Sequence, residues 1–464
     1  MVIFAPYRIC LLGAHVDHQL GAVLGTTLRD MGIYLTWTQN SSGKIRLYSI
    51  NYKQFAEFPL DSMPSRKGGC WSDYAKGAVY ALRSKGNVSR GIDGIIRGTF
   101  PGGGLSSSAA VSIAYLSALE KANGLNLSER EKIRLVQKIE NEYIGLDNGI
   151  MDQSMILLSR DTPDSMVYLD CKTMEHKSIL PPHPPLSPLG RGEKPLQPAP
   201  SPLSGEGNNH PRLNPPPSGG KKKGRHQHRH TLPSPLRQNF GGQAIPSHNI
   251  SPDGRGIKDK RLEFEVAVVY SGIEKPITNT DYNKRVAECE EAAGLLMEMA
   301  GTTFHLKGSG IKGGGTKVKL RDVPEEVFLT YKNRLPLNLQ KRATHFFTET
   351  ERVEKGADMW RKGDMEGFGR LVSESGRSSI ENYECGSPVL VRIYELHNSL
   401  PGVYGARFSG AGFRGSCIGI IQPSEEARSG IEKALKKYYE KEFPMYSKKY
   451  KVAFCKTGGT VKVL

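Results

Sequence analysis

A glycine–serine stretch at residues 101–110, PGGGLSSSAA, contains the residue types that bind an anion. It holds three consecutive glycines and three consecutive serines: Gly102, Gly103, Gly104, Ser106, Ser107 and Ser108. Glycines let the backbone adopt conformations that other residues avoid and let a ligand approach closely. The apolar periodicity that follows predicts a helix, whose free N–H groups favour a phosphate, and a serine hydroxyl can bind Mg²⁺. Taken alone, the stretch is equally consistent with a plain loop and a helix cap, since it matches neither the Walker nor the dinucleotide-binding motif.

Three other segments carry residues that suit phosphoryl transfer: 5–18 (APYRICLLGAHVDH), 149–153 (GIMDQ) and 408–415 (FSGAGFRG). A carboxylate such as Asp152 can accept the proton of an attacking hydroxyl. An arginine such as Arg8 can keep that carboxylate ionised, orient it and stabilise charge on the transferred group. Each residue also has a simpler interpretation, because Arg8 could lie on the surface and Asp152 could cap a helix. The combination of the segments favours the chemical interpretation.

The pattern around these segments predicts an α/β fold. Alternating apolar residues predict short strands within residues 1–60, then at 165–170, 264–271, 417–421 and 452–455. Helical spacing predicts helices at 72–83, after the glycine loop to 123, 128–145, 281–300, within 324–355, 364–375 and 425–439, with a turn at 148–149 before the segment 150–158. Ser128 and Glu131 form a predicted capping box.

Residues 181–258 differ in composition from the rest of the chain. They are rich in Pro, Gly, Ser and basic residues and poor in apolar ones, so they cannot form a packed core. We therefore predict an N-terminal domain at 1–180, a low-complexity, disordered insert at 181–258 and a C-terminal domain at 259–464. Three histidines of the insert (His226, His228 and His230) could bind a metal, but a solvated loop is the favoured interpretation.

Composition excludes few classes of function. The net charge of the 464 residues is +17, but the insert holds eleven Lys and Arg against three Asp and Glu, so about half of the excess is local. That charge lacks interleaved aromatic residues, which disfavours nucleic-acid binding. No apolar run is long enough for a membrane span. Seven scattered cysteines without a C-x-x-C pair favour reduced thiols, and hence a cytoplasmic protein.

The four segments, in this order, resemble the sugar-kinase branch of the GHMP kinases, which includes the galactokinases. The resemblance covers nearly the whole chain outside the insert. It implies a two-domain GHMP kinase fold, with ATP and sugar in the cleft between the domains and Mg²⁺ as the cofactor. Each motif is weak singly, whereas the four together are specific.

The resemblance also implies a role for individual residues. Asp152 matches the catalytic aspartate, and Arg8 the arginine beside it. The implied ATP-binding residues are Gly102, Gly103, Gly104, Ser106, Ser107, Ser108, Gly410 and Gly412. The implied Mg²⁺ ligands are Ser108 and Glu140. The implied substrate-binding positions are Ala14, His15, Asp17, His18, Gly149 and Tyr282. Trp71 and Tyr74 are candidates for the adenine pocket.

Position 14 departs from the galactokinase pattern Gly-Glu-His-x-Asp-Tyr, because the chain reads Gly-Ala-His-Val-Asp-His at 13–18. The glutamate of that pattern binds the sugar's 6-hydroxyl and would repel a C6 carboxylate. At ~4 Å and an effective dielectric near 20, the repulsion is about 4 kcal/mol, roughly a thousandfold in affinity. Ala14 therefore makes room for a uronic acid, whose carboxylate His18 or another basic residue could pair with.

Further segments, at 74–82, 378–386 and 401–415, resemble plant galacturonokinases more closely than galactokinases. The implied reaction is phosphorylation of the anomeric hydroxyl of D-galacturonate by ATP. Three alternatives stay open: a galactokinase or broad-specificity sugar 1-kinase in which Ala14 is neutral drift, a catalytically silent sugar sensor, and, ranked last, a nucleic-acid binder. Competition between sugars tests the first alternative, and an assay for phosphoryl transfer to any sugar tests the second. Deletion of the insert tests the third.

Overall fold

The computed structural model describes residues 1–64, 67–181, 263–274, 281–301 and 318–464. The predicted insert, apart from position 181, and its three histidines lie outside these residues. The strands are β1 (Val2–Leu12), β2 (Ala22–Asn40), β3 (Lys44–Ser49), β4 (Gln54–Pro59), β5 (Gly91–Gly98), β6 (Met166–Asp170), β7 (His176–Ile179), β8 (Glu265–Tyr270), β9 (Val403–Ser409), β10 (Ser416–Ile421), β11 (Lys451–Cys455) and β12 (Lys462–Val463). The helices are α1 (Asp73–Leu82), α2 (Ser107–Ala122), α3 (Glu129–Lys138), α4 (Met151–Leu158), α5 (Tyr282–Met299), α6 (Glu325–Tyr331), α7 (Leu337–Lys362), α8 (Met365–Glu381), α9 (Pro388–Ser399) and α10 (Glu425–Glu442).

The described residues form two sheets. An eight-stranded sheet has the order β12-β1-β2-β5-β3-β4, with β6 added to β2 and β7 to β6. A four-stranded antiparallel sheet has the order β11-β8-β10-β9. The end of the chain returns to the larger sheet, because β12 pairs with β1 and Leu28 bridges Thr457.

An irregular stretch of the β1–β2 pairing determines where Arg8 lies. Residue 6 of β1 pairs with residue 32 of β2, and residue 8 pairs with residue 27. Residues 28–31 of β2 therefore bulge out of the pairing with β1. The Arg8 N–H instead donates to the Leu105 carbonyl at 3.2 Å, in the glycine–serine loop. Bulges commonly re-aim side chains next to active sites, and this one directs β1 toward the loop.

Several predicted elements differ from the observed ones. Among the short strands predicted within residues 1–60, those at 21–28 and 34–40 form one strand, β2. The predicted 324–355 helical region is two helices, because Pro336 stands between α6 and α7 and cannot continue the first. The predicted 128–145 helix starts at the expected capping box but changes at residue 139 to a π-helical turn, Ile139–Ile144, which ends at Gly145 with φ +79°. Strand β4 lies in the predicted strand region at 1–60, whereas strands β5, β7, β9 and β12 and helix α9 were not predicted.

One hydrophobic cluster contains buried residues from both sheets, including Leu12 of β1, Phe368 of α8 and Ile418 of β10. Close packing of this kind fixes the elements that carry the site. Within the described ranges, no helix is both long and apolar enough to cross a membrane. The seven cysteines all lie in described residues and are free.

Candidate active site

The glycine–serine loop leads into α2, as predicted. Gly104 has φ +80°, and the Leu105 N–H closes a turn onto the Gly102 carbonyl at 3.0 Å. Ser106 follows with φ +57°, a left-handed conformation that costs a serine on the order of 1–3 kcal/mol. Its hydroxyl donates a short hydrogen bond to Asp152 instead of capping the helix. The loop thus places the N-terminus of a 16-residue helix, where backbone N–H groups attract anions, beside a carboxylate.

The second glycine turn joins β9 to β10 and packs directly on this loop. A Cβ at Gly104 would lie 2.6 Å from the Ser409 carbonyl oxygen, and one at Gly410 would lie 2.9 Å from the Gly104 Cα. The Ser416 hydroxyl donates to the Gly103 carbonyl at 2.8 Å. Only residues without side chains permit this approach of two backbones, so the glycines of both motifs serve the same contact.

Arg8 and Asp152 form an ion pair between β1 and α4. The Arg8 Nε and Nη2 atoms lie 2.8 and 2.6 Å from Asp152 Oδ1. Arg8 Nη1 also donates to the Gly104 carbonyl at 3.1 Å and to the Ser409 hydroxyl at 3.2 Å. The guanidinium is almost completely buried and therefore ties the carboxylate to both glycine turns. Such charge-assisted bonds fix the orientation of both partners.

The π-helical turn buries Glu140 completely. Asn148 Nδ2 donates to its Oε2 atom at 3.0 Å, while Oε1 has no hydrogen-bond partner. Burial, and then the charge of Asp152, raise the pKa of Glu140 to about 7, against the opposing effect of Asn148 and Ser108. A cation would stabilise the charge of a buried carboxylate that has one oxygen without a hydrogen-bond partner.

The segment after β1 forms the other end of the site. Asp17 packs against Gly149, where a Cβ would collide with its carboxylate, and accepts the Met151 N–H at 3.3 Å. Burial and the charge of Asp152 raise the pKa of Asp17 to about 6. His15 has φ +61° and stacks on Tyr383 with the ring centroids 4.2 Å apart. This strained conformation is maintained by its surroundings.

Helix α7 holds the backbone of Ala14 on both sides. Glu349 Oε1 accepts the Gly13 N–H at 2.8 Å and the Ala14 N–H at 3.3 Å. His345 Nε2 lies 2.9 Å from the Ala14 carbonyl oxygen and donates to it in the tautomer protonated there. The methyl group of Ala14 therefore has a fixed position, determined by residues more than 300 positions away in the sequence.

A single cavity collects most of the predicted residues. Those that line it are Arg8, Ala14, His15, Asp17, Gly102, Gly103, Gly104, Ser106, Ser107, Ser108, Gly149, Asp152, Tyr282 and Gly410, together with Tyr74. Cys10, Leu146, Asn148, Met151, Ala411 and Arg414 also line it and were not predicted. Of these, Cys10, Met151, Ala411 and Arg414 lie within the motif segments and Asn148 in the predicted turn, whereas nothing in the sequence marked Leu146 as part of a site.

Four predicted residues, among them the adenine-pocket candidate Trp71, do not line this cavity. Glu140 lies behind it, in contact with Asn148. Gly412 faces Phe408 and Cys385 and shapes the second turn from the far side. His18 points into an adjacent cavity, because the helical turn at Asp17–Gln19 directs successive side chains apart. Its ring nitrogens lie 3.0 Å from the Tyr383 hydroxyl and 3.0 Å from Gln19 Nε2, so both are occupied.

Comparison with known proteins identifies the class of protein to which the chain is similar. Residues 73–160 match the model of the GHMP kinases N terminal domain, and residues 357–441 that of the GHMP kinases C terminal domain. A galacturonokinase from Arabidopsis thaliana is 34% identical, covering all of this chain and 93% of that protein. A galactokinase from Enterococcus faecalis is 27% identical over 94% of this chain and 89% of that protein.

The fold is also similar to that of Lactococcus lactis galactokinase, solved in complex with galactose. The TM-score is 0.72 at 23% identity, covering all of this chain and 95% of that one. A mevalonate kinase structure aligns with a TM-score of 0.55 at 13% identity, over 99% of each chain.

The chain belongs to the GHMP kinase family, and the predicted α/β class with the two-domain architecture of that family is confirmed. It is a kinase that uses ATP and transfers a phosphoryl group to an alcohol, of the galactokinase and galacturonokinase type.

Proposed function

We propose that this kinase phosphorylates the anomeric hydroxyl of D-galacturonate, giving α-D-galacturonate 1-phosphate and ADP. The observation that carries the proposal is the methyl group of Ala14, which lines the cavity that also contains the Arg8–Asp152 pair. No acidic side chain occupies position 14, so a C6 carboxylate is not repelled from there.

The electrostatic surroundings of Ala14 support a negatively charged substrate. The pKa of the neighbouring His15 is lowered well below its ordinary value, first by burial and then by the charges of His345, Arg407, His18 and Arg8. At neutral pH that charge is carried by Arg407 and Arg8, because burial lowers the pKa of His345 to about 4 and that of His18 to about 3. A carboxylate entering this region would favour protonation of His15. Because both ring nitrogens of His18 are occupied, His18 would have to break existing contacts to bind the carboxylate itself.

Asp152 is the proposed base. As the anomeric oxygen bonds to the γ-phosphorus, the bond from that phosphorus to the β,γ-bridging oxygen breaks, ADP leaves, and the hydroxyl proton passes to Asp152. Arg8 holds the carboxylate in place through the ion pair. Asp17, with His15, Gly149 and Tyr282, would position the ring hydroxyls, since all of them line the same cavity.

The ATP phosphates would lie against the glycine loop and the N-terminus of α2, with Gly410 on the other side. The adenine ring would lie toward Trp71 or Tyr74. Mg²⁺ would be held by Ser108 and Glu140, and it would neutralise charge on the phosphates when bound. The buried Glu140 with an unpaired Oε1 fits such an ion. Among the described residues no group of three His, Cys, Asp or Glu side chains forms a metal cage, but Mg²⁺ held with phosphates needs only one or two carboxylates.

A galactokinase is the second candidate. It is favoured by Asp17, His15 and Tyr282, because these residues would bind ring hydroxyls that both sugars share. A silent sugar sensor is disfavoured, since the Arg8–Asp152 pair and the phosphate loop adjoin each other in one cavity.

A competition assay tests the substrate. Equal D-galacturonate and D-galactose are supplied with Mg-ATP, and the two sugar phosphates are separated by mass. We expect galacturonate 1-phosphate to dominate. Dominant galactose 1-phosphate contradicts the proposed specificity while leaving the kinase assignment intact, and no product from either sugar contradicts both candidates.

Two variants at position 14 separate charge from bulk. Ala14→Glu adds a carboxylate at the proposed C6 position, whereas Ala14→Gln adds nearly the same volume without charge. We expect Ala14→Glu to lower kcat/KM for galacturonate by up to about a thousandfold relative to Ala14→Gln, because about 4 kcal/mol of repulsion is added. Equal losses in both variants would show that position 14 acts through space filling alone.

A further inference from the structure

Arg414 is an unpaired cation in the active-site cavity. It lies in the turn between β9 and β10 and lines the cavity. In the described part of the chain no carboxylate lies within ion-pair distance of its guanidinium, and its buried Nε atom has no hydrogen-bond partner. The other arginines of the site are different, because Arg8 pairs with Asp152 and Arg407 contacts Ser375, Ser379 and Glu349. An unpaired charge in a partly enclosed site is costly unless a ligand compensates it.

The position of Arg414 indicates which ligand this is. Its Nη1 atom lies 3.6 Å from the point where a Cβ of Gly103 would be, so it faces the phosphate loop. Its charge acts on Tyr74 and Tyr270, lowering the pKa of both phenols against the larger effect of burial. The arginines that act on the pKa of His15, at the proposed sugar end, are instead Arg407 and Arg8, and the arginine that acts on the pKa of Asp17 is Arg8. Arg414 therefore lies toward the nucleotide end of the cavity.

We propose that Arg414 binds the polyphosphate of ATP from beside the Gly102–Gly104 loop. The inference rests on the ATP site of the proposed function and adds to it a residue that the glycine motifs did not indicate. A guanidinium has several donors in a plane and matches two phosphate oxygens at once. The loop supplies neutral N–H groups, and Arg414 would add a full positive charge next to them. It would act as a binding residue for the nucleotide and not for the sugar.

The test measures nucleotide binding without any sugar, so it does not depend on which sugar is the substrate. ADP binding to the full chain is followed by calorimetry in the presence of Mg²⁺ for Arg414→Ala, Arg414→Lys and the control Arg130→Ala. Arg130 is exposed on α3 and has no ion pair in the described residues. We expect Arg414→Ala to weaken ADP binding about 10- to 100-fold, the loss of a charge-assisted contact, and to reduce its dependence on salt. Arg130→Ala should bind like the original protein.

Arg414→Lys keeps the charge and controls for damage to the fold. We expect its ADP affinity to lie between those of the original protein and Arg414→Ala. In steady state, Arg414→Ala should raise KM for ATP by a similar factor and change KM for the sugar less than about twofold. Unchanged ADP affinity in Arg414→Ala, equal affinity of the Lys and Ala variants, or a rise in KM for the sugar alone would each overturn the proposal. The last result would assign Arg414 to the sugar's carboxylate. Absence of sugar phosphorylation with ADP binding lost as expected would overturn only the proposed reaction.

Discussion

Two completely buried carboxylates, Glu140 and Glu349, lie near the two ends of the cavity, and their surroundings are opposite in character. Glu140, beside Ser108, receives one hydrogen bond from Asn148 and has one oxygen without a partner. Glu349, behind Ala14, accepts hydrogen bonds from two backbone N–H groups, a serine hydroxyl and Arg352.

The pKa values follow from this difference. Burial and Asp152 raise the pKa of Glu140 to about 7. Arg352, His345, Arg407 and Ser375 overcome the effect of burial and lower the pKa of Glu349 to about 2. The end of the cavity near Ser108, the proposed phosphate end, therefore leaves a charge to be compensated from outside, while the end near Ala14, the proposed sugar end, is compensated within the protein. This is the difference expected between a site that binds a metal–nucleotide complex and a frame that positions a backbone.

The largest expected effect is on kcat, and it is expected for a change of Asp152, which lies between these two residues. Asp152→Asn keeps the shape of the side chain and removes the proposed base. We expect kcat to fall about 10²- to 10⁴-fold, with little change in KM for ATP or sugar, because neither end of the site is altered. Steady-state kinetics measure it, with the exposed Asp358→Asn as the control. A kcat within about tenfold of the original would mean that positioning alone accounts for catalysis.

At the sugar end, Glu349→Gln removes the charge that balances Arg352 and Arg407. We expect a loss of about 3–5 kcal/mol in the free energy of unfolding at pH 7, because the buried Arg407 and the half-buried Arg352 lose their partner. The loss should shrink as pH falls from 4.5 toward 2, since the contribution of a carboxylate with a depressed pKa disappears when it is protonated. KM for the sugar should rise roughly tenfold, and KM for ATP much less, because Ala14 and His15 shift.

Glu351→Gln on the same helix is the matched control. Glu351 is exposed, and its Oε1 atom lies 2.6 Å from Lys355 Nζ. Such a pair contributes about 0.5 kcal/mol or less, so the variant should unfold and turn over like the original. Equal rises in KM for sugar and ATP in Glu349→Gln would argue against a role specific to the sugar end.

The same contrast explains what could be predicted from the sequence. The phosphate loop, the second glycine turn and the capping box at Ser128 are local patterns, because neighbouring residues make the turns and caps themselves. The proximity of Arg8 and Asp152 followed from the family resemblance.

The sugar end could not be predicted in the same way. Glu349, His345 and Tyr383 lie more than 300 residues from the segment that they hold, and nothing in their local sequence distinguishes a buried positioning residue from a surface one. The β2 bulge and the π-helical turn depend on tertiary contacts, which override local spacing. His18 was predicted in the sugar site, but helical geometry turns it away from Asp17, toward Tyr383.

The smallest effect, and the most specific for the phosphate end, is expected for Glu140→Gln in the metal-free protein. A carboxylate whose pKa is raised from 4.5 to about 7 costs the fold stability once it is charged, so stability falls as pH rises through this range. Glutamine stays neutral, and the variant should therefore be more stable than the original at pH 8, by at most about 3 kcal/mol, and about equal to it at pH 4.5.

Thermal unfolding with a chelator measures this difference, and added Mg²⁺ with ADP should reverse it. The original protein should gain stability from the metal–nucleotide complex, whereas Glu140→Gln should gain less because its neutral amide is a weaker Mg²⁺ ligand. Should the variant be less stable than the original at pH 8 without metal, Glu140 would be compensated within the protein, as Glu349 is. The contrast between the two carboxylates would then be lost, and with it the main structural support for a metal ligand at position 140.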